Sequence, residues 1–75
     1  MEKALVLITL TLEYSSNLVE QINDVPGVTD VALIYGPYDA YAIIEVDTKD
    51  GLRDSLMKIR KVFGIHQTLT CNVIP

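Results

Sequence analysis

A chain of 75 residues has room for one domain, 1–75, and at this size only about 60% of the unfolded surface is buried on folding, so a second subunit is an expected reinforcement. A single cysteine, Cys71, and a single histidine, His66, exclude an internal disulfide and supply no Cys/His metal set. Six Lys plus Arg against ten Asp plus Glu, a net charge of −4, repel a phosphate backbone and exclude free nucleic acid as a direct partner.

Lys3 to Leu12 (KALVLITLTL) alternates as a strand, with Ala4, Val6, Ile8, Leu10 and Leu12 on one face and Leu5, Leu7, Thr9 and Thr11 on the other. Both faces are largely apolar, the pattern of a central strand covered on both sides. The run is too short to cross a bilayer and continues without a small-residue cleavage site, so neither a membrane segment nor a signal peptide is expected, and the location implied is cytoplasmic. Ser15 and Ser16 are candidate caps for a helix of about three turns with Leu18, Val19, Ile22 and Val25 on one stripe, ended by Pro26-Gly27.

Val28 to Tyr35 and Ala40 to Asp47 read as the second and third strands, joined by the loop Gly36-Pro37-Tyr38-Asp39. Thr48 caps a second helix, with Asp50 in its first turn and Leu52, Leu56, Ile59 and Phe63 recurring on its buried side until Gly64 stops it. Ile65 to Ile74 closes the chain as a fourth strand, with Leu69, Cys71 and Val73 alternating against Thr68, Thr70 and Asn72.

Strand, helix, strand occurs twice, and the halves echo each other: Val25-Pro26-Gly27-Val28 matches Val62-Phe63-Gly64-Ile65, and Ile22 matches Ile59. Two interleaved units give an α+β, ferredoxin-like βαββαβ fold, with a four-stranded antiparallel sheet ordered 4-1-3-2 and both helices on one face. The face left bare is expected to show Leu5, Leu7, Tyr41, Ile43 and the pairs Thr9/Thr11 and Thr68/Thr70. Leu69 and Val73 are expected to point to the helices with Val6, Ile8, Ala42 and Ile44. So large an apolar patch predicts dimerisation through the bare face, with Leu5, Leu7, Thr9, Tyr41 and Ile43 at the contact.

Residues able to carry catalysis are sparse. No His lies near a Ser or Cys in sequence, no Gly-rich phosphate loop occurs, and His66 and Cys71, an odd number of residues apart on one strand, point to opposite faces. No catalytic residue, metal or cofactor is therefore assigned. Arg53, Lys58, Arg60 and Lys61 lie near the end of the second helix, where cations complement the helix dipole without any ligand. The Gly36-Pro37-Tyr38-Asp39 loop differs from a plain hairpin turn. Gly36 lets a ligand approach the main chain, Pro37 stiffens the loop, Tyr38 can wall a pocket, and Asp39 can accept from an ammonium group or from its own turn.

The ordered set of Val25-Pro26-Gly27-Val28, the Gly36-Pro37-Tyr38-Asp39-Ala40 loop and the ending Phe63-Gly64-Ile65-His66-Gln67-Thr68-Leu69-Thr70 resembles, over essentially the whole chain, the effector-binding (RAM) domain of the Lrp/AsnC family. The resemblance implies sheet-packed homodimers assembled into octameric or similar rings, with an amino acid bound between dimers. Family ligand positions carry over onto Gly36, Tyr38, Asp39 and Ala40 of the loop and onto Thr68 and Thr70 of the last strand. Pro37 is a departure from the pattern. Full-length members also carry an N-terminal helix-turn-helix domain, whereas Met1 here leads at once into the first strand. The resemblance thus implies a non-enzymatic, amino-acid-sensing module without its own DNA-binding domain, acting on metabolism or with full-length regulators. Two other readings share the topology: an ACT-like regulatory domain, paired through sheet edges or helices, and a small dimeric isomerase or oxygenase, which needs an acid or base in the cleft between sheet and helices.

Overall fold

Alternation along β1, Glu2–Leu10, sends Ala4, Val6 and Ile8 to one side of the strand, and none of the three keeps any solvent exposure. The computed structural model describes residues 1–74, in which β1 is followed by α1 (Leu18–Asn23), β2 (Val28–Leu33), β3 (Ala40–Val46), α2 (Lys49–Arg60) and β4 (Ile65–Asn72). Pro75, the last residue of the expected domain, lies outside them. The strands form one antiparallel sheet in the order β2-β3-β1-β4, the ferredoxin-like arrangement expected from the sequence. Ala4, Val6 and Ile8 meet Ile44, Ala42 and Ala40 of β3 across the ladder, and Leu18 and Ile22 of α1 with Leu52 and Ile59 of α2 close over them. Each large aliphatic chain so buried stabilises the fold by about 1.5–3 kcal/mol relative to an exposed position. No helix among the described residues is long and apolar enough to cross a membrane.

The register of β4 corrects the expected faces. Val6 pairs with Thr70 and Ile8 with Thr68, so both threonines share the helix side of the sheet, while Leu7 pairs with Leu69 and Leu5 with Cys71. Leu69, 48% exposed, therefore belongs to the bare face beside Leu5, Leu7, Tyr41 and Ile43. Val73, the other residue expected inside, is 45% exposed. A strand in which leucine and threonine alternate fits either face by composition, and the pairing with β1 decides between them.

Both helices depart in part from their expected form. α1 has six residues rather than three turns, and no serine caps it: Asn17 holds the N-cap position without a side-chain cap, its side-chain oxygen being taken by the Ser15 hydroxyl and by Gln21 Nε2 at 2.6 Å. α2 is capped as expected, with Thr48 Oγ1 accepting from the Gly51 amide at 3.0 Å. Its buried side runs through Leu52, Ser55 and Ile59, and Phe63, past the helix end, is 66% exposed. Ser55 tolerates burial because its hydroxyl donates to the Pro26 carbonyl at 2.6 Å.

The internal echo in the sequence is a repeated turn. After each helix the chain closes twice by the same hydrogen bonds, Val25 N to Ile22 O and Val28 N to Val25 O in the first case, Val62 N to Ile59 O and Ile65 N to Val62 O in the second. Gly27 and Gly64 hold φ of 97° and 99° in these turns. Their carbonyls accept from Glu45 and Thr11 amides, each at 2.8 Å. A Cβ on Gly64 would also fall on Tyr14 Cβ and lie 3.0 Å from Tyr14 Cα. Gly64→Ala is expected to cost roughly 2–4 kcal/mol, from the left-handed backbone and from overpacking. Gly36→Ala, where φ is 153° but nothing lies within 4 Å of an added Cβ, carries backbone strain without overpacking and should cost about 1–2 kcal/mol. Thermal melts of the two variants check the order, and equal melting temperatures would contradict it.

β1 stops short of Leu12 because Asp39 takes over its last amide. Leu10 N donates to Asp39 Oδ2 at 2.8 Å, the β1–β4 register shifts between Thr9 and Leu10, and Leu12 is fully exposed. The Asp39 amide donates to Ile8 O and its carbonyl accepts from Ile34 N, both at 2.9 Å. One residue thus ties β1 to both ends of the loop. Asp39→Ala should lower stability by about 1 kcal/mol and speed hydrogen exchange of the Leu10 amide, while Asp39→Asn, which keeps an acceptor, recovers most of both. Unchanged Leu10 protection in Asp39→Ala would remove the clip from the account.

Candidate functional site

A depression of about 550 Å³ lies at the edge strand β4, between the β2–β3 loop and the end of α2. β1 contributes Leu7 and Thr9, the loop Tyr38, the end of α2 Arg60, and β4 Ile65, His66, Gln67, Thr68 and Leu69. Leu7, Thr9, Gln67 and Leu69 belong to the bare face by register, and Thr68 to the helix face, so the depression wraps the strand edge. Arg60 reaches it because the turn after α2 folds β4 back along the helix, and its Nε donates to Thr68 Oγ1 at 3.1 Å.

Of the residues assigned to ligand binding from the sequence, Tyr38 and Thr68 come together in this depression. Asp39 lines a second, smaller one of about 310 Å³ with Leu10, Leu33 and Ile34. Gly36 sits at the exposed tip of the loop. The Ala40 side chain is wholly buried in the core, so only its main chain borders the loop. Thr70 Oγ1 is buried on the helix face with no hydrogen-bond partner among the described residues. Arg60, His66 and Gln67 had carried no site assignment. Arg60 satisfies the helix-dipole rule by position alone, and its meeting with Thr68 depends on the turn between them, which composition does not reveal.

The lining combines a guanidinium, an imidazole, a carboxamide, hydroxyls and a phenol ring with the aliphatic side chains of Leu7, Ile65 and Leu69. This is the makeup of a site that holds a small polar molecule with an apolar body. No group of three or more His, Cys, Asp or Glu side chains among the described residues is placed to hold a metal ion.

Beside the depression, the bare face carries Leu5, Leu7, Thr9, Tyr41 and Ile43, all half-buried, together with Leu69 and Cys71. On this face the Tyr41 hydroxyl donates to Asp30 Oδ2 at 2.8 Å. That bond, then partial desolvation and the carboxylate charge, raise the Tyr41 phenol above the ordinary tyrosine range.

No curated protein matches the chain in sequence. Among solved structures, FFRP-DM1 is 29% identical with a TM-score of 0.87, over 99% of this chain and 100% of that one. TTHA0845 from Thermus thermophilus is 29% identical with a TM-score of 0.88, over 100% and 95%. A feast or famine regulatory protein (Rv3291c) from M. tuberculosis, complexed with L-methionine, shares the fold at 18% identity and a TM-score of 0.82, and this chain spans 51% of its length. The model of the Lrp/AsnC ligand binding domain matches residues 3–74, and the chain belongs to that family.

Proposed function

We propose that the protein is a non-catalytic, amino-acid-responsive module that acts through assembly with copies of itself and with regulators of its family. The meeting of Tyr38 and Thr68 in one depression, in a chain matched throughout by a ligand-binding family, carries this reading. A fold relative complexed with L-methionine supports an amino acid as the effector class. Tyr38 and Thr68 wall the site, Gly36 and the Ala40 main chain let a ligand or neighbouring subunit approach, Asp39 holds the loop in shape, and Thr70 follows Thr68 on the helix face of β4. No cofactor takes part.

Dimers form by packing of the bare face, with Leu5, Leu7, Thr9, Tyr41 and Ile43 at the contact, and dimers assemble into a larger ring that completes the pocket. With a net charge of −4 the domain itself does not bind DNA, and any effect on transcription passes through a partner. Its setting is the cytoplasm.

Calorimetry with each of the common amino acids, paired with sedimentation velocity, tests this directly. At least one amino acid should release or absorb heat and shift the oligomer distribution. Leu7→Lys, which puts a charge in the middle of the bare face, should sediment as a monomer. Absence of any heat together with an unchanged, monomeric distribution would rule the reading out.

The Tyr41–Asp30 pair gives the fold a pH dependence. A phenol pKa raised in the folded state contributes stability that is complete below the unfolded tyrosine pKa and is lost as pH rises through the folded one, when a phenolate would face the Asp30 carboxylate. Folding stability should therefore fall at alkaline pH, and Tyr41→Phe should keep more of it over the same range. Matching alkaline unfolding curves for the two proteins would exclude Tyr41 as the group responsible.

A further inference from the structure

We infer that Arg60 is the carboxylate anchor of the β4-edge depression, which therefore selects a carboxylic acid with an apolar body. The inference rests on reading that depression as an effector site, and it goes further by assigning the charge that recognises the ligand. Nε of Arg60 donates to Thr68 Oγ1 at 3.1 Å, which turns the guanidinium toward β4 and leaves its two terminal nitrogens for a bidentate acceptor. Among the described residues the ion pair formed is Lys58 with Asp54, and no carboxylate lies within ion-pair distance of Arg60. Among the described residues the lining of the depression contains no Asp or Glu.

That absence is informative in a chain with ten acids and six bases. Where acids dominate, a hollow rimmed by the Arg60 guanidinium, with no acid among its described lining residues, has the local sign needed to draw in an anion. Position at the end of α2 accounts for a cation there through the helix dipole, but not for a side chain turned onto β4 and held by Thr68. The ligand's apolar body then lies against Leu7, Leu69 and the Tyr38 ring. Leu7 and Leu69 are also on the face proposed to meet a twin chain, which would close the apolar wall from the other side. Because the lining offers no acid to an ammonium group, the carboxylate is the part of the ligand that this chain recognises.

Three probes separate the groups: L-leucine, L-leucinamide, which lacks the carboxylate, and isocaproate, which is leucine without its amino group. Calorimetry on the unmodified protein should show binding of leucine and isocaproate, with leucinamide weaker by roughly tenfold to a hundredfold, the range for loss of a charge-assisted contact. Arg60→Gln should weaken both acids to the level of the amide, and Arg60→Lys should restore part of the loss. Arg60 Nε–H resonances in the unmodified protein, shifted by isocaproate and not by leucinamide, report the contact independently of how the variants fold. Leucinamide binding as well as leucine, an unaffected Arg60→Gln, or no binding by any of the three would overturn the anchor. Amino acids that bind without regard to Arg60 would overturn it too, while leaving the proposed function standing. Isocaproate binding through Arg60 with no response to any amino acid would instead uphold the anchor and retire the amino-acid reading.

Discussion

Hydrogen bonding of β1 on both sides is the constraint on which the rest of the structure depends. A strand sends alternate side chains to opposite faces, so once Val6 is paired with Ala42 and Thr70, and Leu7 with Tyr41 and Leu69, the facing of three strands is determined together. Ala4, Val6, Ile8, Ala40, Ala42 and Ile44 go under the helices and lose all exposure. Leu5, Leu7, Tyr41, Ile43 and Leu69 go to the side that no element of the chain covers. Slippage of β1 by one residue would exchange the two sets, placing Leu7 and Thr9 against the helices and Val6 and Ile8 in the open.

The same constraint separates what was legible in the sequence from what was not. β1 and β3 are apolar enough that their central placement follows from composition, and the repeated Pro-Gly and Phe-Gly turns give the order of elements. β4 is different. Its leucine and threonines alternate cleanly, and burial of the leucine is the natural reading for a strand in isolation. Leu69 instead joins an outer face that is itself apolar, and Thr68 and Thr70 go inward, where Arg60 partners one of them. Phe63 was misplaced for a related reason: its helical spacing from Ile59 continues the apolar stripe on paper, yet it occupies the turn position that Pro26 fills in the first half, after the helix has ended. Ser55 shows the converse, a polar residue buried because a carbonyl from the other half of the fold awaits it.

In the loop, the residue types suggested ligand contact and the hydrogen bonds add a structural duty. Asp39 binds the Leu10 amide, donates to Ile8 and accepts from Ile34. Its first task is to end β1 and hold the loop over the sheet. Tyr38 is thereby kept beside β4, although the two are adjacent neither in sequence nor in the ladder, since β1 lies between β3 and β4. Position in the site thus comes from a clip on one side and a glycine turn on the other, both remote from the lining itself.

Leu7, Thr9 and Leu69 belong at once to the depression and to the bare face. On the proposed assembly this shared membership is what would couple a ligand to subunit association. A molecule bound against these side chains meets different surroundings in a lone chain and in a sheet-packed dimer, and a difference in affinity between the two states is the sole means by which binding shifts an assembly equilibrium. Were the hollow confined to the helix side of β4, its occupancy would be indifferent to the twin. On that assembly, a hollow that wraps the edge would place one wall under the control of the neighbouring copy, and filling the site and burying the face would draw on the same few aliphatic side chains.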